Sequence, residues 1–328
     1  MFGYLRFILA FLVVISHIGV RFNGLNPGVI AVVMFYILAG YVVSHLWRDI
    51  IPAGKGRLYR FYMDRALRIF PLYLYVALLT LVFLGVTGYA RPDFSPLKLI
   101  HNVLIVPLNY YMVFDSSILR DPQWCLIPPA WSLGAELQAY LILPGIFLFN
   151  RLKILLVFLS LAVYLMACFS FIHPDYFGYR LVFGVFFMFA AGSAIQCTQQ
   201  THKNSTLFDR RYLWLLWGVI AVLGVIFQLD DRFTLAYARE TCLGLFIGIP
   251  VIYTISRCRV RLPGNSLLGA LSYGLFLSHF LVIWWLDYTQ YAVRCSISYI
   301  PVLTMCSLAI SYAGIRIIEK NIDLIRKK

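Results

Sequence analysis

Ten long apolar runs, joined by short polar connections that carry most of the charge, constrain this chain more than any other feature. They begin near Phe2, Pro27, Ile69, Trp131, Ile154, Gly178, Tyr212, Thr234, Ser266 and Ile297. A run of about 20 apolar residues is long enough to carry an α-helix through the hydrocarbon of a bilayer. Inside that hydrocarbon the backbone has to satisfy its own N–H and C=O groups, which a helix does. Ten such spans use about 200 of the 328 residues and leave no room for a sizeable soluble domain. The expected fold is all-α: a polytopic membrane helical bundle of about ten transmembrane helices, with residues 1–328 forming a single domain. A hydrophobic content of 61% against 13% charged residues agrees with that class.

Charge orients the bundle. With the N-terminus in the cytoplasm, the inner helix ends and loops hold 20 of the 28 Lys and Arg residues. That asymmetry is what the positive-inside rule associates with the cytoplasmic side, so both termini are expected there. The net charge of +14 then reflects topology and contact with anionic headgroups or phosphates, and argues against nucleic acid as a partner. No A-x-A-like site follows Val20, so the first run reads as a span and not as a cleaved signal. Seven cysteines show no C-x-x-C pair or metal-ligand spacing, and no metal is expected. Cys125 and Cys295 both fall on the outer side, which leaves a disulfide between them open. Two connections are long. The inner one, Arg48 to Arg68, is basic and holds a turn-like Pro-Ala-Gly-Lys-Gly at 52–56. The outer one, Arg91 to Ala130, is about forty residues, a length that usually serves function or is partly membrane-embedded, and it reads as short interfacial or re-entrant pieces lining an acceptor site.

Within this apolar frame a few ionisable residues stand out. Arg6 and His17 lie in the first run, FGYLRFILAFLVVISHIGV at 2–20. On a helix turning about 100° per residue, eleven residues return to within about 20° of the same face and advance about 16 Å. An ionisable group facing lipid costs roughly 2.5–3.5 kcal/mol on insertion scales, so the shared stripe is expected to face a protein interior or a watery cavity. Arg6 alone also reads as a snorkelling interfacial anchor, and His17 alone as a donor to a neighbouring helix. Arg65 and Arg68 stand three apart in MDRALRIFPLYL, at the inner end of the third span. Two guanidinium forks one turn apart suit a phosphate or pyrophosphate, although a basic pair also marks a membrane boundary. Glu136, in PAWSLGAELQAYLILP, is the one acid expected inside the hydrocarbon. Lying in the same outer half as His17, it either orients that imidazole or locks helices together by hydrogen bonding. His279, in LSYGLFLSHFLVIW, falls in that outer half too, to bind an acceptor or to bond to Ser or Tyr neighbours.

At these residues the chain resembles the acyltransferase-3 family of integral membrane acyltransferases. The matching pieces are LRFILAFLVVISH at 5–17, MFYILAGYVVS at 34–44, RFYMDRALRIFPLYL at 60–74, WSLGAELQAYLILP at 131–144, SYGLFLSH at 272–279 and IIEKNI at 317–322. They follow the family's order over almost the whole chain. Arg6 and His17 match its R-x10-H signature, Arg65 and Arg68 its R-x-x-R pair, and Glu136 the acid of its WSLxxE motif. Three positions depart. The family's usual Ser-Gly in the second span is Ala39-Gly40, the acid that often follows Glu136 is Leu137, and a usual aromatic is Ala139. No appended SGNH-type hydrolase domain is expected beside the bundle.

The resemblance implies transfer of an acyl group, most often acetyl, from cytoplasmic acyl-CoA to a hydroxyl of a surface or lipid-linked carbohydrate, such as lipopolysaccharide or exopolysaccharide. In that scheme Arg65 and Arg68, with Arg6 assisting, hold the phosphates of acetyl-CoA. His17 acts as general base or transient acyl carrier, with Glu136 and Arg6 in the catalytic set, and His279, Trp131 and Tyr273 contact substrate. A transporter or flippase of lipid-linked sugar would use the same stripe without making bonds, but the chain lacks the inverted repeat common in transporters. A polytopic glycosyltransferase commonly wants an acidic pair in an early outer loop. Residues 21–26, RFNGLN, hold no acid, and Asp230-Asp231 come late. An unrelated membrane-bound O-acyltransferase with one central histidine would not call for the R-x10-H pair.

Overall fold

A computed structural model describes residues 1–199, 207–229, 237–258, 260, 262–291, 294, 296 and 298–319. The span starts near Thr234 and Ile297, the Asp230-Asp231 pair, Cys295 and the end of IIEKNI, residues 320–322, lie outside the described residues. Among the described residues, nine helices are long and apolar enough to cross a membrane, and Phe2–His17 is a shorter apolar helix. They are α1 (Phe2–His17), α2 (Pro27–His45), α3 (Arg57–Thr87), α5 (Trp131–Leu148), α6 (Asn150–Cys168), α7 (Val182–Cys197), α8 (Leu207–Leu229), α9 (Ala238–Arg257), α10 (Asn265–Tyr288) and α11 (Tyr299–Gly314). A short helix, α4 (Pro96–Leu104), and a two-stranded hairpin, β1 (Leu119–Arg120) and β2 (Gln123–Trp124), lie in the long connection before α5.

Two boundaries differ from the sequence reading. The first helix stops at His17 and does not run to Val20. Gly19 adopts φ 99°, and the amides of Gly19 and Val20 return to the carbonyls of Ser16 (3.2 Å) and Ile15 (3.1 Å). This is the paired-bond cap that a glycine past a helix end allows, and it fixes His17 in the last turn. The third span starts twelve residues earlier than Ile69, at Arg57. Gly54 (φ 123°) and Gly56 (φ 80°) turn the chain, and the amides of Arg57 and Arg60 bond to their carbonyls at 3.3 and 3.0 Å. Arginine is a good helix former, so the basic stretch continues the helix instead of forming a loop. Arg65 and Arg68 are therefore interior residues of a 31-residue helix.

The residues of the expected single bundle group into two compact units. The first comprises Met1–Phe2, Arg21–Phe61 and Ala135–Leu262; the second comprises Gly3–Val20, Tyr62–Gly134 and Pro263–Lys328. In the first unit α2 packs on α7 and α9, α6 on α7, and α8 on α7 and α9. The α2–α7 contact is backbone-close. A Cβ on Gly40 would lie 1.9 Å from the Phe189 carbonyl oxygen, and one on Gly192 would lie 1.8 Å from that of Ile37. Buried side chains stitch the same pair: Ser193 donates to Ser44, and Ser44 to Gln196 Oε1, both at 3.2 Å.

In the second unit α10 packs on α11 and runs beside α1. The Gly3 amide donates to Asn265 Oδ1 at 2.9 Å, and the Tyr4 hydroxyl to the Pro263 carbonyl at 2.6 Å. Fourteen residues further along both helices, about 21 Å, His17 meets His279. Equal advances between two contacts make the helices parallel. The long connection is well tied together. Asn102 donates to the carbonyls of Lys98 and Ser116 and accepts from the Leu126 amide, each at 2.9 Å. Lys98 bridges Asp93 (3.2 Å) and Asp115 (2.8 Å), which holds both carboxyls below their usual range and raises the ammonium above its own.

Candidate active site

The site residues named from the sequence fall into groups, most of them in the second unit. His17 is half-buried on the last turn of α1. Its Nδ1 lies 3.0 Å from Nε2 of His279, which is fully buried on α10. The rings are nearly parallel, 15° apart with centroids 5.1 Å apart. The other ring nitrogen of His279, Nδ1, is 3.2 Å from the Leu275 carbonyl one turn earlier. Phe280 completes the packing, with its ring 4.9 Å from that of His17 and 5.0 Å from that of His279. Trp124, on β2, lies 5.6 Å from Phe280 and keeps 40% of its surface exposed. The exposed edge of the connection is thus linked to the imidazole by one intervening ring.

His279 has no exposed surface, and both its ring nitrogens are engaged, one with His17 and one with the Leu275 carbonyl. Arg68 and Tyr273 form a second group. The Arg68 guanidinium lies 5.8 Å from the centre of the Tyr273 ring, and the Tyr273 hydroxyl donates to the Ile69 carbonyl at 2.9 Å. Tyr273 therefore stands with the arginine, six residues or about 9 Å before His279 along α10. Arg65 is buried, 8% exposed, and directs Nε (3.0 Å) and Nη2 to the carboxylate of the preceding residue, Asp64. Arg6 is half-buried on α1. The carbonyl of Trp131, at the start of α5, accepts from Asn109 Nδ2 at 3.2 Å.

Glu136 belongs to the first unit, where the Tyr140 hydroxyl, one turn on, donates to its Oε1. Sequence reasoning passed over Tyr140, Asp64 and Phe280, although the i+4 spacing of Glu136 and Tyr140 and the adjacency of Asp64 to Arg65 are visible in the chain. In the outer connection, burial pushes the Cys125 thiol up to about 12, and Cys125 Sγ donates to the Ile127 carbonyl at 3.3 Å.

Comparison with known proteins adds the family. A protein of Aquifex aeolicus is 39% identical over 205 residues, covering 62% of this chain and 91% of its own length. A Haemophilus influenzae protein is 25% identical over 155 residues, 44% of this chain and 61% of its own length. Both relatives are described as uncharacterized. No solved structure matches. The family model for an acyltransferase domain, Acyl_transf_3, matches residues 2–316 and so takes in every site residue described above. The chain is a multi-pass membrane protein and belongs to the acyltransferase-3 family.

Proposed function

We propose that this chain moves an acyl group, acetyl in the simplest case, from the thioester of acetyl-coenzyme A to a hydroxyl of a carbohydrate. The donor is on the cytoplasmic side of a bacterial inner membrane and the acceptor on the outer side. The observation that carries this reading is the His17–His279 pair, an imidazole base held in an apolar unit by a second imidazole. Support for the donor comes from Arg68 beside Tyr273, since α10 leads from there to His279. Phosphates gripped by Arg68, with Arg65 and Arg6 assisting, let the thioester-bearing arm run along α10 toward His17. Support for the acceptor comes from Trp124, whose exposed indole suits the apolar face of a sugar ring and lies on Phe280.

In the transfer, His17 takes the proton of the acceptor hydroxyl while the oxygen attacks the thioester carbonyl carbon. The new C–O bond forms as the carbonyl π electrons move onto oxygen. Collapse of that tetrahedral species breaks the C–S bond, and the leaving sulfur takes the proton back from His17. An ester and a thiol result. Glu136 is assigned to the acid–base chemistry on the family motif.

The chain purified into proteoliposomes, given acetyl-CoA and a de-acylated surface glycan, should release thiol and add the mass of one acyl unit to the glycan. His17→Ala should lower turnover about 10²- to 10⁴-fold at equal membrane abundance. Passage of the acceptor across the bilayer with no thiol released overturns the reading in favour of transport.

A further inference from the structure

The pairing of two imidazoles leaves a question of protons that the surrounding carbonyl answers. A peptide carbonyl only accepts, so the 3.2 Å contact between His279 Nδ1 and the Leu275 oxygen requires the proton of His279 to sit on Nδ1. A neutral imidazole carries one N–H, which leaves Nε2 of His279 as an acceptor. The group facing it at 3.0 Å is Nδ1 of His17, so that nitrogen has to be the donor. The lone pair of neutral His17 is then on Nε2. From the Leu275 carbonyl outward, each hydrogen bond fixes the tautomer of the next ring.

We propose that His279 is a positioning residue that locks His17 as the Nδ1–H tautomer and so makes Nε2 the nitrogen that takes the acceptor's proton. This rests on the acyl-transfer reading above and names which atom serves as base. Imidazole in water exchanges its proton freely between the two nitrogens; here one arrangement satisfies three polar groups in an apolar unit, and the other leaves N–H facing N–H or two lone pairs facing each other. A carboxylate in the place of His279 would orient His17 equally well but would bring a buried charge that is costly to desolvate. The second imidazole holds the same geometry while adding no charge. When His17 carries the acceptor's proton, both its nitrogens are donors, and the bond from Nδ1 to His279 persists through the step. The chain of bonds ends at a carbonyl, which cannot take up a proton, so His279 orients the base and does not carry the proton away.

The test reads the tautomer directly. The full chain is labelled with 15N in its histidine rings and reconstituted in lipid, and the His17 signals are identified by their loss in His17→Gln. The expected spectrum shows Nδ1 protonated and Nε2 bare. Nε2 protonated with Nδ1 bare overturns the proposal, whatever the activity of the preparation, and needs no variant of His279 to fold. In the transfer assay, His279→Ala should lower kcat about 10²-fold or more with the KM for acetyl-CoA and for the glycan unchanged. His279→Gln, whose amide oxygen can still accept from His17 Nδ1, should recover part of that loss. A wild-type kcat in a well-folded His279→Ala, or equal losses in the Ala and Gln variants, would sink the positioning role. Failure of the unaltered chain to release thiol refutes acyl transfer instead and leaves the ring spectrum to decide the tautomer.

Discussion

At the scale of single residues, the two arginines on α3 are not equivalent. Arg65 shares its Nε and Nη2 with the carboxylate of Asp64, whereas Arg68 lies over the face of Tyr273. An anion approaching Arg65 meets a guanidinium already offset by a neighbouring negative charge, so Arg65 alone should supply only part of the grip on a phosphate. Arg68→Ala and Arg65→Ala are each expected to raise the KM for acetyl-CoA several-fold, and neither should much alter kcat. Titration of initial rates against acetyl-CoA checks this, and equal KM values in both variants and the unaltered chain would remove the phosphate site. The spacing of the arginines was legible in the sequence because a three-residue step on a helix is a local fact. The tie between Arg65 and Asp64 was less so, since adjacency alone does not fix a side-chain direction. His279 was recognisable as an ionisable group at an apolar depth. Its partner was not, because the bond to His17 joins residues 262 positions apart and depends on two helices running in the same direction.

At the scale of elements, small residues decide how close the helices come. The family's Ser-Gly is Ala39-Gly40 here, and the sequence suggested only that no hydroxyl role could be assigned. The glycine is explained by packing: the carbonyl of Phe189 occupies the space where a Cβ would stand, only 1.9 Å away. No flexible side chain is there to move aside, so α2 and α7 themselves would have to separate. Gly40→Leu should cost about 3 kcal/mol or more, seen as a lower melting temperature in detergent and reduced membrane abundance, whereas Ala39→Ser should be close to neutral. An unchanged melting temperature in Gly40→Leu would show that the two helices tolerate separation. The number of apolar helices was legible from hydropathy, which responds to runs of composition. The boundaries were harder to read. The arginines of α3 look like a loop to a hydropathy count and like a helix to backbone propensity, and glycines with positive φ at 54 and 56 mark the true start.

At the scale of the whole molecule, the parallel course of α1 and α10 limits the threading of the chain. Two spans that point the same way have an odd number of crossings between them, as the seven spans between a first and a ninth require. The amide of Gly3 and the hydroxyl of Tyr4 bond to Asn265 and Pro263 at the start of α10, so the connection leading out of α9 ends on the same face as the N-terminus. Cys258 sits in that connection and is exposed. If the basic face is cytoplasmic, a membrane-impermeant maleimide should modify Cys258 in inside-out vesicles and leave it untouched in intact cells, with Cys258→Ser as the control. Cys125 should resist from either side at neutral pH, because a thiol with its pKa pushed up to about 12 is almost entirely protonated and the thiolate is the reactive form. Modification of Cys258 from outside the cell would invert the bundle. Arg68 and the start of α10 would then face away from the cytoplasmic pool of acyl-CoA, and the donor would have to be an acyl carrier of another kind.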